Sequence, residues 1–237
     1  MRIGSRVEFT RSRVALDLGE DIRSFPDYNP AGIRKRWDAK AMAEPFVRGM
    51  TVEQFFAWQE GQAERYELVN GEPLRLMAGA KNVHDDIVVN LVGELREQVR
   101  GSGCRPFTGD GSVETRPGQI RRPDVGVDCG PRDPNGTKAA LPRLVVEVLS
   151  PSTRDFDTFK KLDEYKETDS LEYIALVEPN EPVVFFWRRK ARAWVEAQVR
   201  GLDAQIDMPK IGVRLQMAAI YEGVEFPVRP RLVSTDE

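Results

Sequence analysis

The sequence predicts an α/β fold in which helices flank a mixed central β-sheet. Strand-like runs follow one another from residue 105 onward, and a helical pattern separates the runs at 144–149 and 172–177. The run at 144–149 is apolar except for one acid, which is typical of a strand covered on both faces. A helix between two such strands favours a parallel crossover, so we expect parallel and antiparallel pairs in one sheet.

Composition describes a globular chain with room for a large core. It has 237 residues, of which 41% are hydrophobic and 31% charged, and it contains neither a bilayer-length apolar run nor a secretory signal. Cys104 and Cys129 lack the spacing of metal ligands, and we expect reduced thiols in a cytoplasmic protein. The net charge of -3 counts mildly against a nucleic-acid partner, which would need a local basic region.

The N-terminal segment differs from the rest of the chain. Residues 1–44 are rich in Arg and Asp, contain a breaker run at 25–32, and show little periodicity. We expect a poorly ordered extension there, followed by one folded domain over residues 45–237.

Local patterns then define the elements in order. Thr51 and Gln54 fit a capping box at the start of a helix. Asn70-Gly71 lies between alternating residues and predicts a β-hairpin. Apolar residues recur at helical spacing from Ile87 to Val99. Further patterns predict strands at 105–115, 121–128 and 144–149, a helix through 156–165, strands at 172–177, 183–188 and 194–199, and an apolar tail at 211–220 with a turn after it.

Glu147 is the most informative single residue. It lies within the apolar run 144–149, and burying an unpaired carboxylate costs several kcal/mol. The residue therefore needs a partner, and both a protein cation and a bound metal ion fit.

Asp124 and Lys161 are the two other candidates for the same site. Asp124 lies in an alternating strand pattern after Pro123, where a solvent-facing edge position explains it as well as a metal site does. Adjacent strands lie about 4.8 Å apart, so Asp124 and Glu147 at matching height can share one hard cation such as Mg²⁺. Lys161 follows on the next helix, sharing a face with Asp157 and Tyr165. Taken alone, Lys161 fits a surface ion pair with Asp157 better than a functional site.

These residues resemble a known nuclease family. The order Asp124, Glu147, Lys161 is similar to the PD-(D/E)XK nuclease superfamily, whose usual lysine position holds Leu149 here. A lysine moved to the following helix is typical of the Uma-type family of putative restriction endonucleases within that superfamily. The similarity spans residues 50–226 and includes Arg122-Pro-Asp-Val, Leu144-Val-Val-Glu-Val-Leu-Ser-Pro-Ser-Thr-Arg154 and Asp157-x-x-x-Lys161-x-x-x-Tyr165.

The resemblance implies a restriction-endonuclease-like core and metal-dependent endonuclease activity on nucleic acid, with DNA as the expected substrate. Asp124, Glu147 and the Val148 carbonyl are the expected ligands for Mg²⁺ or Mn²⁺. Lys161 would orient the attacking water, and Tyr165 would accept a hydrogen bond that fixes this lysine. Phosphate contacts are expected from the nearest basic residues, Arg121, Arg122, Arg154 and Lys160.

Three further residues match the family's polar positions. Either Glu67 or Glu72 can complete the metal shell or orient a water, with Glu67 favoured, although a solvated hairpin explains both. His84, the only histidine, is more typical of a structural or solvated helix end than of a functional residue. We also expect that the chain can form a homodimer.

Two alternatives to a nuclease remain open from the sequence. One is a catalytically silent nucleic-acid-binding or scaffold module with the same fold, and the other is an unrelated α/β protein in which Glu147 pairs with Lys161 structurally.

Overall fold

A computed structural model describes residues 49–76, 81–150 and 157–227, with only the backbone described at 157–159. The predicted N-terminal extension lies outside these residues. The helices are α1 (Val52–Gln59), α2 (Asn82–Gln98), α3 (Asp157–Glu167) and α4 (Met217–Ile220), and Pro209–Ile211 forms one 3-10 turn. The strands are β1 (Tyr66–Val69), β2 (Glu72–Arg75), β3 (Arg105–Thr108), β4 (Val113–Arg116), β5 (Gln119–Arg121), β6 (Val125–Asp128), β7 (Pro142–Val148), β8 (Tyr173–Glu178), β9 (Val183–Lys190), β10 (Ala193–Arg200), β11 (Gln205–Met208) and β12 (Val213–Gln216).

The central sheet has six strands in the order β10-β9-β8-β7-β6-β3. Only the β7–β8 pair is parallel, because α3 carries the chain back across the sheet between these strands. The other neighbours are antiparallel, so the sheet is mixed as predicted. A second sheet has the order β2-β1-β5-β4, and β11 and β12 form a separate pair.

Apolar side chains cover both faces of the central sheet. On one face, Ile87, Leu91 and Leu95 of α2 pack against the strands together with residues of β11, β12 and α4. On the other face, Leu162 and Tyr165 of α3 pack against a second cluster that includes Leu149. The helices therefore flank the sheet, and Leu149, which occupies the usual lysine position of the motif, is a core residue.

The local signals at the start of the domain are confirmed. Thr51 caps α1, and the reciprocal hydrogen bonds with Gln54 complete the capping box. The β1–β2 hairpin turns at Asn70 and Gly71, with φ of 53° and 82°. Two successive positive φ values are what a two-residue turn of this kind requires. The register across this hairpin fixes where Glu67 lies on β1.

Two of the predicted strands are wrong in extent, because each is divided between two sheets. The run at 105–115 becomes β3 and β4, separated by a turn in which the Gly111 amide donates to the Thr108 carbonyl. The run at 121–128 becomes the end of β5 and the whole of β6, separated at residues 122–124. The break after Arg121 lets the chain leave the second sheet and enter the central one. The remaining predicted strands form, and β11 and β12 were not predicted as strands.

The expectation of reduced cysteines is wrong in this structure. Cys104 and Cys129 form a disulfide, with Cα atoms 4.0 Å apart. The reason is the register of β3 and β6, which pairs Arg105 with Asp128. Cys104, just before Arg105, therefore lies opposite Cys129, just after Asp128. Sequence spacing could not reveal this pairing, since 25 residues separate the cysteines.

Candidate active site

Asp124 and Glu147 lie opposite one another at one end of the central sheet. The β6–β7 register pairs Val125 with Val146, and one step further along the antiparallel pair brings Asp124 opposite Glu147. Asp124 itself precedes β6 rather than belonging to it. Its Oδ2 accepts a hydrogen bond from the Val148 amide at 2.8 Å, which ties the residue to β7. Opposed residues of an antiparallel pair share a face, so the two carboxylates lie on the same side.

Glu147 is a carboxylate held in a largely apolar setting. Its side chain is 14% exposed, and the Tyr165 hydroxyl donates to its Oε1 at 2.7 Å. Burial raises the pKa of Glu147 to about 7, and the negative charges of Asp124 and Glu67 add to the rise. Lys161 and the Tyr165 hydroxyl oppose it. Glu147 is thus a site where a further positive charge would stabilise the ionised acid.

Lys161 is the cation nearest to this acid among the described residues. Its Nζ lies 3.7 Å from Glu147 Oε1 and 2.9 Å from Glu67 Oε1. Burial disfavours the ammonium, but Glu147 and Glu67 outweigh this effect and raise the pKa of Lys161 above its ordinary value. Lys160 is exposed, as a residue about 100° further around the helix should be.

Tyr165 differs from its predicted hydrogen-bonding role. The sequence suggested that its hydroxyl accepts a bond from Lys161, whereas it donates to Glu147. Tyr165 is fully buried beneath the acid, and burial raises its pKa well above the ordinary value. The hydroxyl therefore stays protonated and fixes the carboxylate.

Glu67 enters the site from the second sheet. It is 0% exposed, whereas Glu72, at the far side of the turn, is exposed. Glu67 Oε1 contacts Lys161 and accepts from the Arg122 amide, and Oε2 accepts from Arg121. The structure therefore brings Glu67 into the site and leaves Glu72 outside it.

Two of the four residues expected to contact phosphate, Arg121 and Arg122, are buried and bonded within the protein. Arg121 is 4% exposed and pairs with Glu67 and Glu164. Arg122 is 9% exposed, and its guanidinium donates to the carbonyls of Tyr66 and Asp110. These bonds hold both guanidinium groups inside the protein, so a phosphate would have to compete with them. Arg154 lies outside the described residues, and the exposed Lys160 remains the one predicted contact open to solvent.

His84 is closer to the site than the sequence suggested. It lies in the first turn of α2, and its Nε2 is 3.2 Å from Asp124 Oδ2. The hydrogen bond with Asp124 raises the pKa of His84, and burial opposes this effect. A signal was present in the sequence, because His84 lies three, seven and eleven residues before Ile87, Leu91 and Leu95 on the buried face of one helix.

Asp124 and Glu147 are the pair of carboxylates whose chemistry suits a divalent metal ion. Among the described residues no group of three or more His, Cys, Asp or Glu side chains is arranged to hold a metal ion. Within the described part of the chain, Asp124 and Glu147 make contacts through Oδ2 and Oε1 respectively, and carboxylate oxygens are ligands suited to a hard cation. Two carboxylates with water and phosphate oxygens are a common set for Mg²⁺. The chemistry of these two carboxylates therefore fits Mg²⁺ or Mn²⁺.

Comparison with known proteins identifies the family and the fold. The model of the Uma2 family, described as "Putative restriction endonuclease", matches residues 52–218. The chain is 28% identical over 191 residues to the uncharacterized protein slr1290 of Synechocystis, covering 79% of this chain and 99% of that one. It is also similar to a crystal structure described as a putative nuclease belonging to DUF820 from Anabaena variabilis. That likeness has a TM-score of 0.58 and 19% identity, and it covers 72% of this chain and 97% of the other.

The fold is that of a restriction-endonuclease-like protein with a mixed central sheet. The chain belongs to the Uma2 family of putative restriction endonucleases, which removes the alternative of an unrelated α/β protein. None of the helices in the described residues is long and apolar enough to cross a membrane.

Proposed function

We propose that this protein is a metal-dependent endonuclease that hydrolyses phosphodiester bonds in nucleic acid, with DNA as its substrate. The observation that carries the proposal is the position of Asp124, which lies just before β6 and is tied to β7 by the Val148 amide, next to Glu147 with the Lys161 ammonium 3.7 Å away from that acid. Family membership supports it. Two acids and a lysine supply charges of both signs where a phosphodiester reacts.

Each residue has a distinct role in the proposed reaction. Asp124 and Glu147, with the Val148 carbonyl, would hold Mg²⁺ or Mn²⁺. The bound metal would polarise the phosphate and lower the pKa of a water. Lys161 would orient the attacking water and offset negative charge that develops on the phosphorus oxygens. Tyr165 fixes Glu147 by donating to Oε1, and His84 together with the Val148 amide fixes Asp124.

Two basic residues are the proposed substrate contacts outside the reacting centre. Lys160 is exposed on α3 next to Lys161, and we propose that it contacts a backbone phosphate, an interaction that salt should weaken. Arg154 is a second expected contact on the segment between β7 and α3. Homodimer formation and a cytoplasmic location remain expectations from the sequence.

A nuclease assay tests the proposal directly. Supercoiled, linear and single-stranded DNA and a structured RNA are incubated with purified protein and Mg²⁺, Mn²⁺ or EDTA. Glu147→Gln serves as the control, because glutamine keeps the hydrogen bond from Tyr165 while it removes the charge. We expect metal-dependent cleavage of DNA by the wild type and none by the variant.

Two outcomes would contradict this function. Cleavage that persists in EDTA or in Glu147→Gln would show that the activity does not come from this site. Binding of DNA without cleavage under every metal would favour the catalytically silent binding module that shares the fold.

A further inference from the structure

The contacts of Lys161 are unequal in a way that bears on the role of Glu67. The ammonium lies 2.9 Å from Glu67 Oε1 but 3.7 Å from Glu147 Oε1. Glu147 belongs to the central sheet, whereas Glu67 belongs to the β1–β2 hairpin of the second sheet. The hydrogen bond that fixes the ammonium therefore comes from an element outside the strand pair that carries the two acids.

Glu67 is occupied by the protein on both carboxylate oxygens. Oε1 accepts from the Arg122 amide at 2.9 Å and contacts Lys161, and Oε2 accepts from Arg121 at 2.9 Å. The residue is fully buried, and a buried carboxylate deprived of its partners costs several kcal/mol. A metal ligand at this position would have to give up one of these bonds. Glu67 is therefore better suited to hold a cationic side chain than to hold a metal.

The Arg121 guanidinium, which donates to Glu67, also connects α3 to the second sheet. Arg121 donates through Nε and Nη2 to both oxygens of Glu164, at 2.7 and 2.6 Å, and through Nη1 to Glu67. Glu164 lies three residues after Lys161, so the two side chains project from neighbouring positions on one helix face. Glu67 thus reaches α3 by two routes, directly through Lys161 and indirectly through Arg121 and Glu164.

We propose that Glu67 is the positioning residue for Lys161, holding its ammonium beside Glu147 at the point where the scissile phosphate would bind. A lysine on the strand itself needs no such support, since the sheet orients it. Lys161 projects from a helix on a long flexible side chain, and a second anchor reduces the orientations open to its ammonium. This inference rests on the proposed nuclease function for its chemical meaning, but the contact itself can be tested separately.

The test compares Glu67→Gln with Glu72→Gln. The second variant makes the same chemical change on the exposed side of the hairpin and should behave as wild type. Glu67→Gln places an amide against Lys161, and we expect kcat to fall about 100-fold, with KM for DNA and Mn²⁺ affinity by calorimetry unchanged. A wild-type kcat in Glu67→Gln would overturn the inference, and so would loss of Mn²⁺ binding, which would make Glu67 a metal ligand.

A second readout does not need activity. Mild acetylation followed by mass spectrometry measures how accessible Lys161 is, with the neighbouring Lys160 as an internal reference. We expect the ratio of Lys161 to Lys160 labelling to rise several-fold in Glu67→Gln and to stay constant in Glu72→Gln. An unchanged labelling ratio would overturn the positioning role, whether or not the wild type cleaves nucleic acid. Absence of cleavage by the wild type would count against the proposed function alone.

Glu67→Asp covers the case in which Glu67→Gln does not fold. Aspartate keeps the charge that Arg121 and the Arg122 amide require, but it is shorter by one methylene and withdraws from Lys161. We expect reduced kcat with unchanged Mn²⁺ affinity and greater labelling of Lys161. Wild-type kcat together with wild-type labelling in Glu67→Asp would show that Lys161 does not depend on this anchor.

Discussion

The ammonium of Lys161 on α3 lies 3.7 Å from the carboxylate of Glu147 on β7, and α3 is the helix that connects β7 to its parallel neighbour β8. The usual lysine position of the motif is Leu149, which packs in the core between the sheet and α3. The helix therefore supplies the charge that the strand does not. This geometry explains how a lysine on the helix can place its ammonium beside Glu147 when the usual lysine position on the strand holds leucine.

Lys160 and Lys161 provide a matched pair of mutations for this arrangement. Lys161→Ala should reduce kcat for DNA cleavage by about 100-fold or more, because a positioned charge at the reacting centre is removed. Lys160→Ala should weaken DNA binding slightly and lessen its salt dependence. Steady-state kinetics at two salt concentrations separates the two effects. Similar behaviour of the two variants would mean that the helix lysine has no special role.

Metal binding should depend on both acids. We expect isothermal calorimetry to detect a Mn²⁺ or Mg²⁺ site in the wild type that is absent in Asp124→Asn and in Glu147→Gln. A saturating metal should also raise the melting temperature of the wild type, since ligand that binds only the folded state stabilises it. A metal-dependent rise of equal size in either variant would place the ion elsewhere.

The buried pair of Arg121 and Glu164 should make stability depend on acid pH. Burial alone would raise the pKa of Glu164, but hydrogen bonds from Arg121, Gln119 and Thr115 lower it below its ordinary value of 4.5. A lowered folded-state pKa contributes stability that is present above pH 4.5 and is lost as the pH falls through the folded value.

Urea unfolding of the wild type and Glu164→Gln between pH 3 and pH 7 tests this dependence. The variant should lose about 3–5 kcal/mol at neutral pH, because Arg121 is left buried without its bidentate partner. The difference between the two proteins should shrink as the pH falls below 4.5. A difference that is constant across this range would exclude the ionised Glu164 as its cause.

The hairpin that carries Glu67 should be sensitive to its turn glycine. Gly71 has φ of +82°, and a Cβ there would lie 2.6 Å from the Cα of Gly49. Gly118 has a similar φ of +81° but open space around it. Gly118→Ala should therefore cost about 1–2 kcal/mol from the backbone conformation alone, and Gly71→Ala should cost more. Thermal melts of both variants provide the comparison, and equal losses would contradict the close contact with Gly49.

The disulfide should stabilise the domain without being needed for its fold. It closes a loop across 25 residues, for which the chain-entropy model gives about 3.5 kcal/mol. We expect Cys104→Ser together with Cys129→Ser to lower the unfolding free energy by up to that amount, since strand pairing and apolar contacts between β3 and β6 remain. Non-reducing mass spectrometry of the purified wild type would show whether the bond forms, and free thiols under oxidising conditions would exclude it.

Signals read over a few neighbouring residues predicted the local elements well. Three predicted features are present in the structure: the capping box at Thr51, the turn at Asn70-Gly71 and the apolar face of α2. Each depends only on residues that are a few positions apart in the sequence. The division of 105–115 was also present in the sequence, in the glycines at 109 and 111, but the strand propensity on either side concealed it. Local periodicity does not report which sheet a strand joins.

Partner choice at the site was only partly predictable. The sequence identified Glu147 as an acid within a buried strand, and the resemblance to a nuclease family assigned Asp124 and Lys161 to the same site. Arg121 was expected to contact phosphate, whereas it is buried between Glu67 and Glu164. Nothing in the residues around Arg121 distinguishes a solvent-facing arginine from a buried one, because its partners are 54 and 43 residues away.

The sequence by itself determined the helices, the hairpin, the mixed sheet and the presence of an acid that needs a cation. Only the tertiary structure decided that Lys161 is held by Glu67 as well as Glu147, that His84 contacts Asp124, and that Cys104 meets Cys129. The physical reason is that secondary structure follows from short-range periodicity and capping. The pairing of charges and thiols instead depends on strand order, register and the packing of two sheets, which bring together residues far apart in the chain.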